Sequence, residues 1–125
     1  MDKLNLDQKA AQYAQAIVRN GGADIENLVT KALGVLQEQG VYACILFLLA
    51  NKDQKILSPL CALLHELPAF QSNADIPTER ADSKVTLQFF SDSVCAELDT
   101  LLLVKDLYEQ TLIYARYGAK AAGKE

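Results

Sequence analysis

The sequence predicts an all-α fold: one compact bundle of about six helices in a single domain over residues 1–125. Three observations predict it. Apolar residues recur at helical spacing through most of the chain, residues that start and stop helices bracket those stretches, and no strand-like run has a second to pair with. Half of the 125 residues are apolar and 22% are charged, the balance of a globular domain that buries a core without needing a metal or disulfide.

The first helix is expected from Asn5, a competent N-cap, to about Arg19, with Leu6, Ala10, Tyr13, Ala14 and Ile17 on one face. Lys9, Gln12, Ala16 and Arg19 fall on another. Asn20-Gly21-Gly22 stops it, since asparagine and glycine tolerate the left-handed backbone that closes a helix. Asp24 caps a second helix striped by Ile25, Leu28, Val29, Ala32 and Leu36, and Gly40 ends it. Residues 41–51 form a helix apolar all round, which belongs at the centre of a bundle. A strand is the competing reading of that run, because Val41, Ile45 and Phe47 favour sheets.

Ser58-Pro59 signals the next start, a capping serine followed by proline at the first helical position. That helix runs to about Leu67, and Pro68 marks its exit. Residues 69–82 hold Pro77, scattered charges and no apolar period, so a mobile loop is expected there. Helical spacing resumes over 83–96 with Val85, Leu87, Phe89, Phe90 and Val94. Leu98-Asp99-Thr100 makes a corner before a long last helix over 101–123.

Cys44, Cys61 and Cys95 are widely spaced in apolar helical patterns, with no C-x-x-C, which reads as three buried thiols in a reducing compartment. Met1-Asp2-Lys3-Leu4-Asn5 lacks the apolar core of a signal peptide, and the longest apolar run, 41–50, is far short of the ~20 residues that span a bilayer. The expectation is a soluble, cytoplasmic protein with no membrane contact.

Catalytic groups do not converge in this sequence. His65 is the single histidine, which excludes His-rich metal sites, and its position near a helix end suits capping. Cys61 and His65 stand four apart, but nothing marks the thiol as activated. No phosphate-binding glycine motif and no nucleophile elbow is present. Asp75, Glu79 and Asp82 have cation-site spacing, yet lie in or beside a loop as solvated charge. The sequence therefore predicts no enzyme, no cofactor and no small-molecule substrate.

The charge distribution is more telling. Residues 1–65 carry six acids and six bases; residues 66–109 carry nine acids and three bases; residues 110–125 carry one acid and three bases. An acidic protein of net charge −4 thus ends in a cationic turn. Arg116 and Lys120 stack on one helix face, with Lys124 beyond them and Tyr114 and Tyr117 beside them. Bases at a helix C-terminus also complement the macrodipole, so the pattern alone has a structural explanation. Other bases available to phosphate are Lys9 and Arg19 on the first helix and Lys52 and Lys55 near the third and fourth. The net charge excludes a free-standing, sequence-independent nucleic-acid binder but allows a module that touches a few phosphates within a larger assembly.

Three segments resemble one family. Leu6-Asp7-Gln8-Lys9-Ala10-Ala11-Gln12-Tyr13-Ala14 resembles the opening helix of the small helical subunit of type III-B (Cmr) CRISPR effector complexes. Leu28-Val29-x-Lys31-Ala32, Gly40 and Phe47-Leu48-Leu49-Ala50-x-Lys52 look like its middle. The run from Lys105-Asp106 to Tyr114-Ala115-Arg116-Tyr117 is similar to its last helix. The resemblance implies a non-catalytic bundle in antiviral defence that stacks with copies of itself. It implies partners among the other effector subunits, and contact with the backbone of a guide RNA–target RNA duplex without base reading. On that reading Lys9, Arg19, Lys52, Arg116 and Lys120 are the RNA-backbone residues. The alternative is a helical adaptor or homo-oligomer without nucleic-acid contact, because Leu101, Leu102, Leu103 and Val104 do not all fit one core stripe.

Overall fold

The computed structural model describes residues 6–70, 76–78 and 81–123. Among them are six α-helices and no strand: α1 (Leu6–Gly21), α2 (Ile25–Gln39), α3 (Val41–Ala50), α4 (Gln54–Leu63), α5 (Ser83–Phe89) and α6 (Leu98–Ala122). The fold is the all-α bundle expected. Short 3₁₀ turns at Leu64–Glu66 and Pro68–Phe70 follow α4, and a π-helical turn, Phe90–Val94, continues α5.

The long last helix is the spine. α6 packs chiefly against α1 and α2, while α1 also packs on α4 and α2 on α3. α1 and α6 run parallel: Leu6 and Asp7 lie by Leu103 and Asp106, and Val18 lies by Gly118. α2 runs antiparallel to α6, since Gln37 donates to Glu109 at 2.9 Å and Lys120 meets Glu26 at 3.5 Å. The C-terminal ends of α1 and α6 and the start of α2 therefore share one end of the bundle.

The buried stripe of α1 is Ala10, Ala14 and Ile17, with Leu6 and Tyr13 packed at its edge. Tyr108 of α6 is fully buried and donates its hydroxyl to the Leu60 carbonyl at 2.7 Å, which keeps a polar atom satisfied in the centre. An aromatic ladder radiates from it. Tyr108 and Phe90 centroids are 6.5 Å apart, Phe90 and Phe89 5.5 Å, and Phe89 and Phe70 6.0 Å. The ladder attaches the α5 region to the bundle.

Several boundaries differ from the sequence reading. α1 continues to Gly21, and Gly22 takes the left-handed turn at φ 89°. The Ile25 side chain lies where a Cβ on Gly21 would stand, so only glycine allows this tight corner. Asp24 occupies the cap position of α2, but its side chain makes no cap hydrogen bond. α3 is a helix, yet it is not buried all round: Tyr42 and Leu46 face outward, 38% and 43% exposed. Ser58-Pro59 does not start α4. That helix begins five residues earlier, because the chain leaves α3 through a tight turn that places Asp53 at the cap. Ser58 instead donates to Gln54 at 2.9 Å, and Pro59 sits inside the helix. Leu98-Asp99-Thr100 is no corner but the first turn of α6. The last turns expected before residue 96 are π-helical, with Cys95 N–H reaching back to Phe90 O at 2.8 Å.

Of the 69–82 segment expected to be mobile, Phe70 and Ile76 are buried at 4% and 5% exposure, and Asp82 caps α5 by accepting from Val85 N–H at 2.9 Å. Residues 71–75 and 79–80, and with them Asp75 and Glu79, lie outside the described residues, as do Asn5 and Lys124. Cys44 and Cys61 are buried as expected; Cys95 is half-buried.

Candidate nucleic-acid interface

The five candidate cations occupy three environments. Lys9 and Arg19 are ten residues apart on α1, about 15 Å along the axis. Lys9 leans toward the 3₁₀ turn that follows α4, where its Nζ lies 3.5 Å from Glu66. Tyr13 donates to the same carboxylate at 2.9 Å. Burial first, and then Glu66, push the Tyr13 hydroxyl up to about 12, so it remains a donor at any physiological pH. Arg19 faces outward instead, on the rim of a groove between α1 and α6 floored by Ala11, Ala14, Val18, Gly118 and Ala122.

Lys52 has a backbone role. It holds φ 54° in the turn between α3 and α4. Lys52 N–H bonds Leu49 O at 3.1 Å and Asp53 N–H bonds Leu48 O at 2.9 Å, the paired bonds of a Schellman cap. Its side chain is exposed, and the next residue along the chain, Asp53, is only 7% exposed.

Arg116 and Lys120 lie on the α2 side of α6. Arg116 borders a depression with Ala23, Asp24, Glu26, Asn27 and Thr30 at the start of α2, and among the described residues its buried Nε has no hydrogen-bond partner. Lys120 pairs with Glu26. Tyr117 stands 63% exposed between this face and the α1 groove, while Tyr114 on the groove side donates to Asp7. Lys55, from the first turn of α4, donates to Gly21 O at 3.0 Å and caps α1.

The parallel run of α1 and α6 therefore brings Arg19, Arg116 and Lys120 to one end of the bundle, with Lys55 beside them. Lys9 lies toward the other end. Of the described ion pairs, one takes Lys9 and one takes Lys120, leaving Arg19, Arg116 and Lys52 in neither, and of these the two arginines share one end of the bundle. Glu66, Glu26 and Gly21 O, which hold Lys9, Lys120 and Lys55, escape sequence reasoning. Each is far along the chain from its partner, and no spacing rule joins them.

Cys61 and His65 do not form an activated pair. Burial pushes the Cys61 thiol up to about 12, the reverse of an activated nucleophile, and His65 is exposed. Among the described residues no group of three His, Cys, Asp or Glu side chains is placed to hold a metal ion. No helix there is long and apolar enough to cross a membrane. No protein-family model, curated protein or solved structure matches this chain.

Proposed function

We propose that this chain is a non-catalytic small subunit of a type III-B RNA-guided effector complex. In that role it lies along the guide RNA–target RNA duplex, beside copies of itself and the larger subunits, and touches phosphates without reading bases. The observation that carries the reading is the convergence of Arg19, Arg116 and Lys120 at one end of an otherwise acidic bundle. Arginine forks suit phosphate, and phosphate contacts position a duplex without specifying its sequence. Guide pairing supplies the sequence information in such a machine, so a subunit needs no base-reading groups. Arg19 and Arg116 are the principal contacts on this reading. Lys9 and Lys120 join by exchanging Glu66 and Glu26 for phosphate, and Lys52 contributes an exposed charge from a rigid turn.

Two to four phosphate contacts give a modest salt slope, about −2 to −4 in log–log form. The test is tagged capture from the native cell with proteins and RNA identified, followed by target-RNA capture by the complex carrying Arg19→Glu and Arg116→Glu. Recovery of large effector subunits with guide RNAs, and roughly tenfold weaker capture by the double variant, is the expected result. Recovery of the chain alone, with no RNA, sinks the assignment. Recovery of the complex with unchanged capture at moderate salt removes the two arginines from it.

A further inference from the structure

α6 carries more apolar surface than its own bundle covers. Seven large apolar side chains are exposed among the described residues, and four stand on α6: Leu98 at 66%, Leu102 at 49%, Leu103 at 42% and Tyr117 at 63%. They lie along the outward side of the helix, spread over about 28 Å of its length. The charges on the same helix are segregated. Its first half holds Asp99, Asp106 and Glu109 against one base, Lys105; its second half holds Arg116 and Lys120 and no acid.

We infer that two copies of this chain associate through α6 laid antiparallel on α6 of the second copy. A parallel pairing sets acid half on acid half and base half on base half. The antiparallel pairing sets each acid half on a basic one, so the helix is complementary to itself under two-fold symmetry. With Leu102 opposite Tyr117, the same register brings Leu98 opposite Ala121 and Asp99 opposite Lys120, and the symmetry repeats each contact. Lys120 keeps Glu26 in this arrangement, because an ammonium has three donors and this one is 44% exposed. The commitment to a second copy rests on that self-complementarity. The inference goes beyond the RNA reading and stands without it, since it concerns the isolated protein.

The experiment is the mass of the RNA-free protein, by sedimentation or light scattering, from about 1 to 100 μM, a range chosen for a small helix–helix contact. The expected result is twice the 13.7 kDa chain mass at the upper end. Leu102→Asp should weaken association at least a hundredfold, since two buried leucines are lost per pair. Asp99→Lys and Lys120→Glu should each weaken it about tenfold, and together restore it. In a parallel pair Asp99 meets Asp99, so a double reversal rescues nothing. A wild-type monomer at 100 μM overturns the inference, and so does a double variant as weak as either single. Far-UV circular dichroism checks the helices of every variant. Should Leu102→Asp lose its helical signal, the charge swap decides.

Discussion

Lys52 and Asp53 occupy adjacent positions in one turn and store two separable costs. A lysine at φ 54° crowds its Cβ against the backbone, at a cost of about 1 kcal/mol that glycine does not incur. Lys52→Gly is therefore expected to raise stability by about 1 kcal/mol, or roughly 4 °C in Tm by thermal melting, while keeping both cap bonds. Asp53 is buried, and its Oδ2 has no partner among the described residues. Burial raises its carboxyl above the ordinary range, opposed by Lys55 and the Ile56 N–H. The folded chain thus keeps that proton to a higher pH than the unfolded chain, and stability falls as pH climbs from the ordinary carboxylate range through the raised value. Asp53→Asn should be more stable than wild type in urea titrations at pH 7, with the gain fading toward about pH 4. Neither cost is legible in the sequence, where Asn51-Lys52-Asp53 reads only as a polar break. The candidate site is legible to the same degree. Arg116 and Lys120 stand out as bases four apart, but the Glu26 that holds Lys120 belongs to another helix and is visible only once α2 and α6 are packed.

At the scale of elements, periodicity carries the reading well wherever one face is apolar for three or more turns. α1 and α2 follow their stripes, and Gly22 and Gly40 close helices where a left-handed residue was needed. Local signals fail where tertiary contacts outvote them. The Ser58-Pro59 pair reads as a start, yet Ile56 and Leu57 are core residues at 0% and 3% exposure, so their burial favours a helix already under way. Asp82, read in the sequence only as a solvated charge beside a loop, is a side-chain cap at the head of a seven-residue helix. Such a short helix has little cooperativity of its own, so the cap matters more than it would on α6. Asp82→Ala should cost about 1 kcal/mol and act locally. Hydrogen exchange is expected to quicken in α5 amides while the amides of α1 and α6 keep their protection.

At the scale of the molecule, helix order along the chain does not predict order in space. The first and last helices are parallel neighbours, and the last also completes the packing of the second. No pattern in the sequence announces that pairing, because each amphipathic face records that it must be covered and not by what. Removal of residues 98–125 should therefore do more than shorten the bundle. Such a chain is expected to lose its sigmoidal thermal transition and to bind a hydrophobic dye, although α1 to α4 keep their residues. A truncated chain with an unchanged sharp transition would show that α6 is an accessory.

The same pairing sets a schedule during synthesis. A ribosome delivers α1 before α6, and the side of α1 that α6 covers has no partner until residues 98–122 have been made. Nascent chains therefore leave the α6-facing sides of α1 and α2 uncovered after α3 and α4 are in place, and α6 closes both when it emerges. Pauses between the synthesis of α2 and that of α6 lengthen that exposure and raise the demand for chaperones.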